Sequence, residues 1–81
     1  MPGLDEEQVR TTIANKLEVE RDRVLPTARF VEDLKADSLA MTELSMELED
    51  QLGVKIPEEQ EKTIKTVEDL MTILRTTLNA A

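Results

Sequence analysis

The chain contains no cysteine and no histidine. The first absence excludes a disulfide framework and any thiolate chemistry supplied by the protein itself. The second removes the commonest general base and the commonest metal ligand. Tryptophan and tyrosine are missing too, leaving Phe30 as the sole aromatic residue, so there are no stacking platforms for nucleic-acid bases. No apolar run is long enough to span a bilayer. Met1-Pro2-Gly3-Leu4-Asp5 runs straight into acids, unlike a secretory signal, so the expectation is a soluble cytoplasmic protein without membrane insertion. With 81 residues the chain suits one small domain, 1–81, with a modest core.

Positive charge is scarce in one region. Residues 37–61 hold eight acids and a single base, Lys55, whereas residues 1–36 hold eight acids and six bases. The net charge of −8 is therefore concentrated in the middle of the chain. Nucleic acid and anionic lipid would be repelled there, and basic protein patches attracted.

The apolar pattern is helical. Asp5 with Gln8 three residues on fits a capping box, and Leu4 is placed to staple onto Val9. Val9, Ile13, Leu17 and Ala14 then form a stripe to about Leu17–Val19. Arg10, Lys16 and Glu6 fall off that stripe and are expected to face water. From Glu20 to Asp37 the periodicity fails, and a long loop is expected, pinned by Val24, Leu25, Phe30, Val31 and Leu34. A second helix runs from about Ser38, its N-cap candidate, to Leu52, with Gly53 ending it. Met41, Leu44, Ser45, Leu48 and Leu52 share one face of it; Leu39, Glu43, Met46, Glu47 and Asp50 share the other. Pro57 biases Ile56 away from helix, and Glu58 to Thr63 suits one short helix. Thr66-Val67-Glu68-Asp69 fits a capping box, opening a last helix whose stripe is Val67, Leu70, Met71, Leu74 and Leu78. Asn79–Ala81 are expected to fray. The fold class is all-α: a small four-helix bundle of three longer helices and one short one, with a long loop between helices one and two.

Ser38 opens the most strongly patterned helix. A serine hydroxyl is a poor nucleophile without a base to take its proton, and the chain offers no histidine and no lysine in the setting of a Ser–Lys pair. Catalytic residues are therefore not expected; Ser38 reads as an acceptor activated by another protein, or as a plain cap. Leu39 and Met46, two apolar residues on an acidic stripe, suggest a docking surface with an apolar centre and a charged rim, the alternative being a solvated face.

The run Phe30-Val31-Glu32-Asp33-Leu34-Lys35-Ala36-Asp37-Ser38-Leu39, with Thr42-Glu43-Leu44 and Ile56-Pro57 downstream, resembles the prosthetic-group site of acyl carrier proteins. The similarity extends from about Glu6 to about Leu74. The resemblance implies that Ser38, flanked by Asp37 and Leu39, carries covalent 4′-phosphopantetheine derived from coenzyme A and attached by a phosphopantetheinyl transferase. It further implies a freestanding monomeric carrier, not an enzyme, shuttling acyl thioesters in fatty-acid or related biosynthesis. Leu39, Glu43, Met46, Glu47 and Asp50 would then dock acyl transferases and synthases with basic patches. Phe30, Leu48, Ile56, Ile64 and Leu70 would line the space that an acyl chain enters. The family pattern reads Asp-Leu-Gly-Ala-Asp-Ser-Leu-Asp; here Lys35 stands for the glycine and Ala40 for the last aspartate, which bears on partner choice. A dedicated polyketide or lipid pathway, and a helical interaction module without prosthetic group, are the alternatives. A calcium sensor is disfavoured, because no Asp-x-Asp-x-Asp-Gly loop with a closing glutamate is present; no specific metal site is expected, only weak divalent binding near Glu47, Asp50 and Glu58.

Crowded like charge destabilises a compact state. Moderate salt or Mg²⁺ should therefore raise the melting temperature followed by circular dichroism; a flat or falling response would contradict this reading of the charge.

Overall fold

The computed structural model describes residues 4–79. It contains four helices: α1 (Glu6–Leu17), α2 (Ser38–Leu52), α3 (Glu58–Glu61) and α4 (Val67–Asn79). A single 3-10 turn, Arg21–Arg23, interrupts the long connection between α1 and α2. No strand is present among the described residues, only one isolated antiparallel bridge between Arg29 and Thr66. Three long helices, one short one and a long first loop match the expected architecture. Ala80 and Ala81 lie outside the described residues, and α4 continues through Asn79, where fraying was expected.

Each long helix has a local reason to start. The Asp5 carboxylate accepts the Gln8 amide at 3.2 Å, as the capping-box spacing requires. At α4 the exchange is reciprocal: Asp69 N donates to Thr66 Oγ1 at 3.1 Å, and Thr66 N donates to Asp69 Oδ2 at 3.1 Å. The start of α2 corrects the sequence reading. Its cap is Asp37, whose backbone is extended and whose Oδ1 accepts the Ala40 amide at 2.8 Å. Ser38 is already the first helical residue. The carboxylate one position earlier reaches the third amide of the helix, so the serine hydroxyl is not needed there. α2 stops at Gly53, φ 66°, in the left-handed region. A Cβ at Gly53 would meet nothing within 4 Å, so backbone conformation, not space, selects glycine there.

The core is built from one face of each long helix. Val9, Ile13 and Ala14 of α1, Leu44 and Leu48 of α2, and Val67, Leu70, Met71 and Leu74 of α4 are buried. Loop residues Val24, Ala28, Phe30, Leu34, Ala36, Ile56 and Ile64 complete it. Leu25 and Val31, expected as pins, are instead 50% and 61% exposed. Each follows a residue that takes the inward position, Val24 or Phe30; Val31 lies in a turn closed by the Asp33 and Leu34 amides on the Arg29 carbonyl, with Phe30 and Leu34 on its inner side. Arg10 also departs from expectation. It is half-buried, with Nε donating to the Val24 carbonyl at 3.0 Å, and so ties α1 to the loop.

The loop is held mainly by its backbone. Phe30 N donates to the Lys65 carbonyl at 2.9 Å, Val67 N to Ala28 O at 3.0 Å and Glu68 N to Pro26 O at 3.0 Å. These bonds fasten residues 26–30 to the start of α4. A carboxylate braces each side of the junction. Asp33 Oδ2 accepts the Arg29 amide at 2.8 Å; Asp69 Oδ2 accepts the amides of Lys65 and Thr66 at 3.0 and 3.1 Å. No helix among the described residues is long and apolar enough to cross a membrane.

Hydrogen bonds to their charged forms hold both carboxyls below the ordinary 3.8, from the Arg29 amide for Asp33 and from the Lys65 and Thr66 amides for Asp69. A depressed folded-state value means that the stabilisation is complete above the unfolded value and is lost as pH falls through the folded one. Unfolding free energy should thus decline with acid below about pH 4, and the decline should be shallower in Asp69→Asn. At neutral pH, Asp69→Ala should cost about 1–2 kcal/mol in urea denaturation.

Candidate functional site

Ser38 is exposed on the first turn of α2. Its carbonyl accepts the Thr42 hydroxyl at 3.0 Å, and no hydrogen bond among the described residues uses its Oγ. Asp37 is the reason. By capping α2 it leaves the neighbouring hydroxyl unengaged and facing solvent. The chain reaches this point from the core, since Leu34 and Ala36 are buried and the Ala36 amide donates to Phe30 O at 2.8 Å. A serine presented in this way is open to a group brought from outside, and its hydroxyl is a poor nucleophile until a base takes its proton.

Leu39 is 66% exposed and Met46 62%. Glu43 and Asp50 are exposed as well. Glu43, Met46, Glu47 and Asp50 line one shallow surface cleft, together with Lys16 from α1; Leu39 stands two turns nearer Ser38. Glu47 differs from its neighbours. It is half-buried, its carboxylate 3.9 Å from Lys16 Nζ, and it accepts Gln51 Nε2 at 3.0 Å. Lys16 was expected only to face water. No local pattern announces its role, because the crossing of α1 over α2 places it against the acidic face. Glu49, on the flank of α2, is engaged through the Ile56 amide, which donates to its Oε2 at 2.6 Å. Of the α2 acids, Glu43 and Asp50 are the two with no ion pair or side-chain hydrogen bond among the described residues.

Phe30, Leu48, Ile56, Ile64 and Leu70 are all buried. They lie within one contiguous core, and Ile64 reaches a surface cleft lined also by Arg29, Val31, Glu32, Lys65, Thr66 and Asp69.

Comparison with known proteins gives this geometry its context. Residues 7–74 match the family model described as a phosphopantetheine attachment site. An acyl carrier protein of Thermosynechococcus vestitus is 46% identical over 65 residues, 80% of each chain. One from Helicobacter hepaticus is 43% identical over 65 residues, 80% of this chain and 86% of that one. The chain belongs to the acyl carrier protein family. Among solved structures, a putative acyl carrier protein from Mycobacterium tuberculosis superposes with a TM-score of 0.83 at 34% identity, covering 88% of this chain and 95% of that one. The acyl carrier protein of Enterococcus faecalis gives 0.72 at 28% identity, with 91% and 99% covered. The prosthetic group of this carrier is covalently attached 4′-phosphopantetheine. The exposed, unengaged Ser38 hydroxyl fits a covalent tether. A phosphodiester beside the first amides of α2 also meets the positive end of the helix dipole.

The loop before Ser38 carries one strained position. Lys35 has φ 61°, in the region that favours glycine, and a side chain there costs about 1–2 kcal/mol. Lys35→Gly should relieve that strain against a gain in unfolded-chain entropy. The net effect on the apo protein should be a stabilisation of about 0.5–1 kcal/mol, read as a rise in melting temperature of about 2–8 °C.

Proposed function

We propose that this protein is a freestanding, monomeric, cytoplasmic carrier, one domain over 1–81, that holds acyl intermediates of fatty-acid biosynthesis as thioesters on an arm at Ser38. The single observation that supports the attachment point most is the exposed Oγ left unengaged by the Asp37 cap. The arm supplies a terminal thiol, the group the chain itself lacks. Loading is a transfer from coenzyme A. Ser38 Oγ gives its proton to a base on the transferase and bonds to phosphorus, while the pyrophosphate bond breaks and adenosine 3′,5′-bisphosphate leaves with the electron pair.

The protein's own residues orient rather than catalyse. Asp37 fixes the first turn of α2, and Phe30, Leu34 and Ala36 anchor the approach to it. Leu39 and Met46 form the apolar centre of the docking face, with Glu43 and Asp50 as its solvated rim and Glu47 partly offset by Lys16. Such rim charges speed encounter with transferases and synthases bearing basic patches and leave release easy. A flexible methionine lets one surface meet several partners. Phe30, Leu48, Ile56, Ile64 and Leu70 are the residues that part to admit an acyl chain.

Incubation with a broad-specificity phosphopantetheinyl transferase, coenzyme A and Mg²⁺ should add one phosphopantetheine to the intact mass, and nothing to Ser38→Ala. An equal gain in Ser38→Ala, or none in the native chain, would overturn the assignment. Met46→Glu should lower the kcat/KM of loading by about tenfold, the loss of roughly 1.4 kcal/mol of docking energy, with the native circular dichroism spectrum retained.

A further inference from the structure

Lys35 stands three residues before Ser38, in a left-handed backbone conformation. Its neighbours Leu34 and Ala36 are buried, and Lys35 itself is exposed. The charges around it are already committed. Arg29 pairs with Glu32 at 3.6 Å and with Asp33 at 3.5 Å. Asp33 accepts the Arg29 amide and Asp37 the Ala40 amide. Lys35 forms no ion pair with any described residue. It is also the only cation between Arg29 and Lys55 in the sequence. An unpaired ammonium is thus kept at a backbone position better suited to glycine, between two acids, on the approach to the serine.

We propose that Lys35 supplies the counter-charge for the phosphodiester joined to Ser38 Oγ, a positioning contact made by this chain to its own prosthetic group. The inference rests on the reading of Ser38 as the attachment point. A phosphodiester brings one more negative charge to a chain already at −8, and Asp33 and Asp37 both lie within five residues of Ser38. Each repels it. A flexible four-carbon stem ending in a strongly hydrated ammonium meets a phosphate as a point charge. From a loop position three residues away, such a stem can follow the phosphate without distorting the backbone. The Arg29 amide does most to hold the Asp33 carboxyl in its ionised form, and the Lys35 charge adds to it in the same direction. Once the phosphodiester is present, Lys35 is shared between two anions, and the junction between arm and helix is held closer to neutral.

The test compares apo and holo forms of the full chain, each identified by intact mass. The set is the native protein, Lys35→Gly, Lys35→Gln and Lys35→Arg, with Lys55→Gln as a control for net charge. The readout is the change in melting temperature between apo and holo within one variant, which cancels any relief of backbone strain in Lys35→Gly. At low salt, attachment should leave the native protein, Lys35→Arg and Lys55→Gln unchanged or more stable. It should lower the melting temperature of Lys35→Gly and Lys35→Gln by about 2–4 °C, the size of a surface ion pair in so small a domain. That penalty should fade in high salt. The ³¹P chemical shift of the native holo protein should also differ from that of holo Lys35→Gln at neutral pH and low salt, and the difference should close in high salt. An apo-to-holo difference equal in all five proteins, or a phosphorus signal indifferent to Lys35, would overturn the proposal. Failure of the native chain to gain mass would overturn the attachment reading itself, and this contact with it.

Discussion

A single carboxylate governs the turn that presents Ser38. Asp37 Oδ1 takes the Ala40 amide, and that bond decides where α2 begins. With the helix capped from one residue upstream, Ser38 enters the first turn with helical backbone and an unengaged side chain. Had Ser38 been the cap, its oxygen would have been turned back toward the amides of its own helix. The same aspartate keeps negative charge at the positive end of the helix dipole, where it is favourable. Presentation of the hydroxyl and stability of the helix are therefore secured by different residues, and neither is sacrificed to the other.

Behind this turn, the long first loop gains its order from two independent sources. Val24, Ala28, Phe30, Leu34 and Ala36 are buried along it, and backbone bonds tie residues 26–30 to the start of α4. Asp33 and Asp69 each orient the backbone on one side of that junction. A domain this small has little core to spend on a connection of about twenty residues. Using the loop as part of the core meets the difficulty directly and places the segment before Ser38 on a firm base.

The acidic face of α2 is less uniform than its charge suggests. Glu47 is drawn toward Lys16, and Glu49 holds the Ile56 amide. Some of the negative charge thus stabilises the fold, whereas Glu43 and Asp50 remain solvated beside Met46. This division leaves exposed Met46 flanked by two carboxylates that no other described side chain engages. Lys35, on the other side of Ser38, supplies the opposite sign where the family pattern has a flexible glycine.

The sequence by itself determined the helices, because caps and stripes are local. Asp5 with Gln8, Thr66 with Asp69 and Gly53 each act within a few residues, and Val67 to Leu74 repeat at helical spacing. It also singled out Ser38 through the run that surrounds it. The identity of the α2 cap was not legible in the same way, since Asp37 and Ser38 are both good caps and only their backbone angles separate them. Nor was the orientation of the loop, where Val24 and Phe30 turn inward and Leu25 and Val31 outward without any period to announce it. The partners of Arg10, Lys16 and Glu49 belong wholly to tertiary structure. Each depends on which segment lies across from which, and that is set by how the helices and loops pack together, not by any neighbour in the chain.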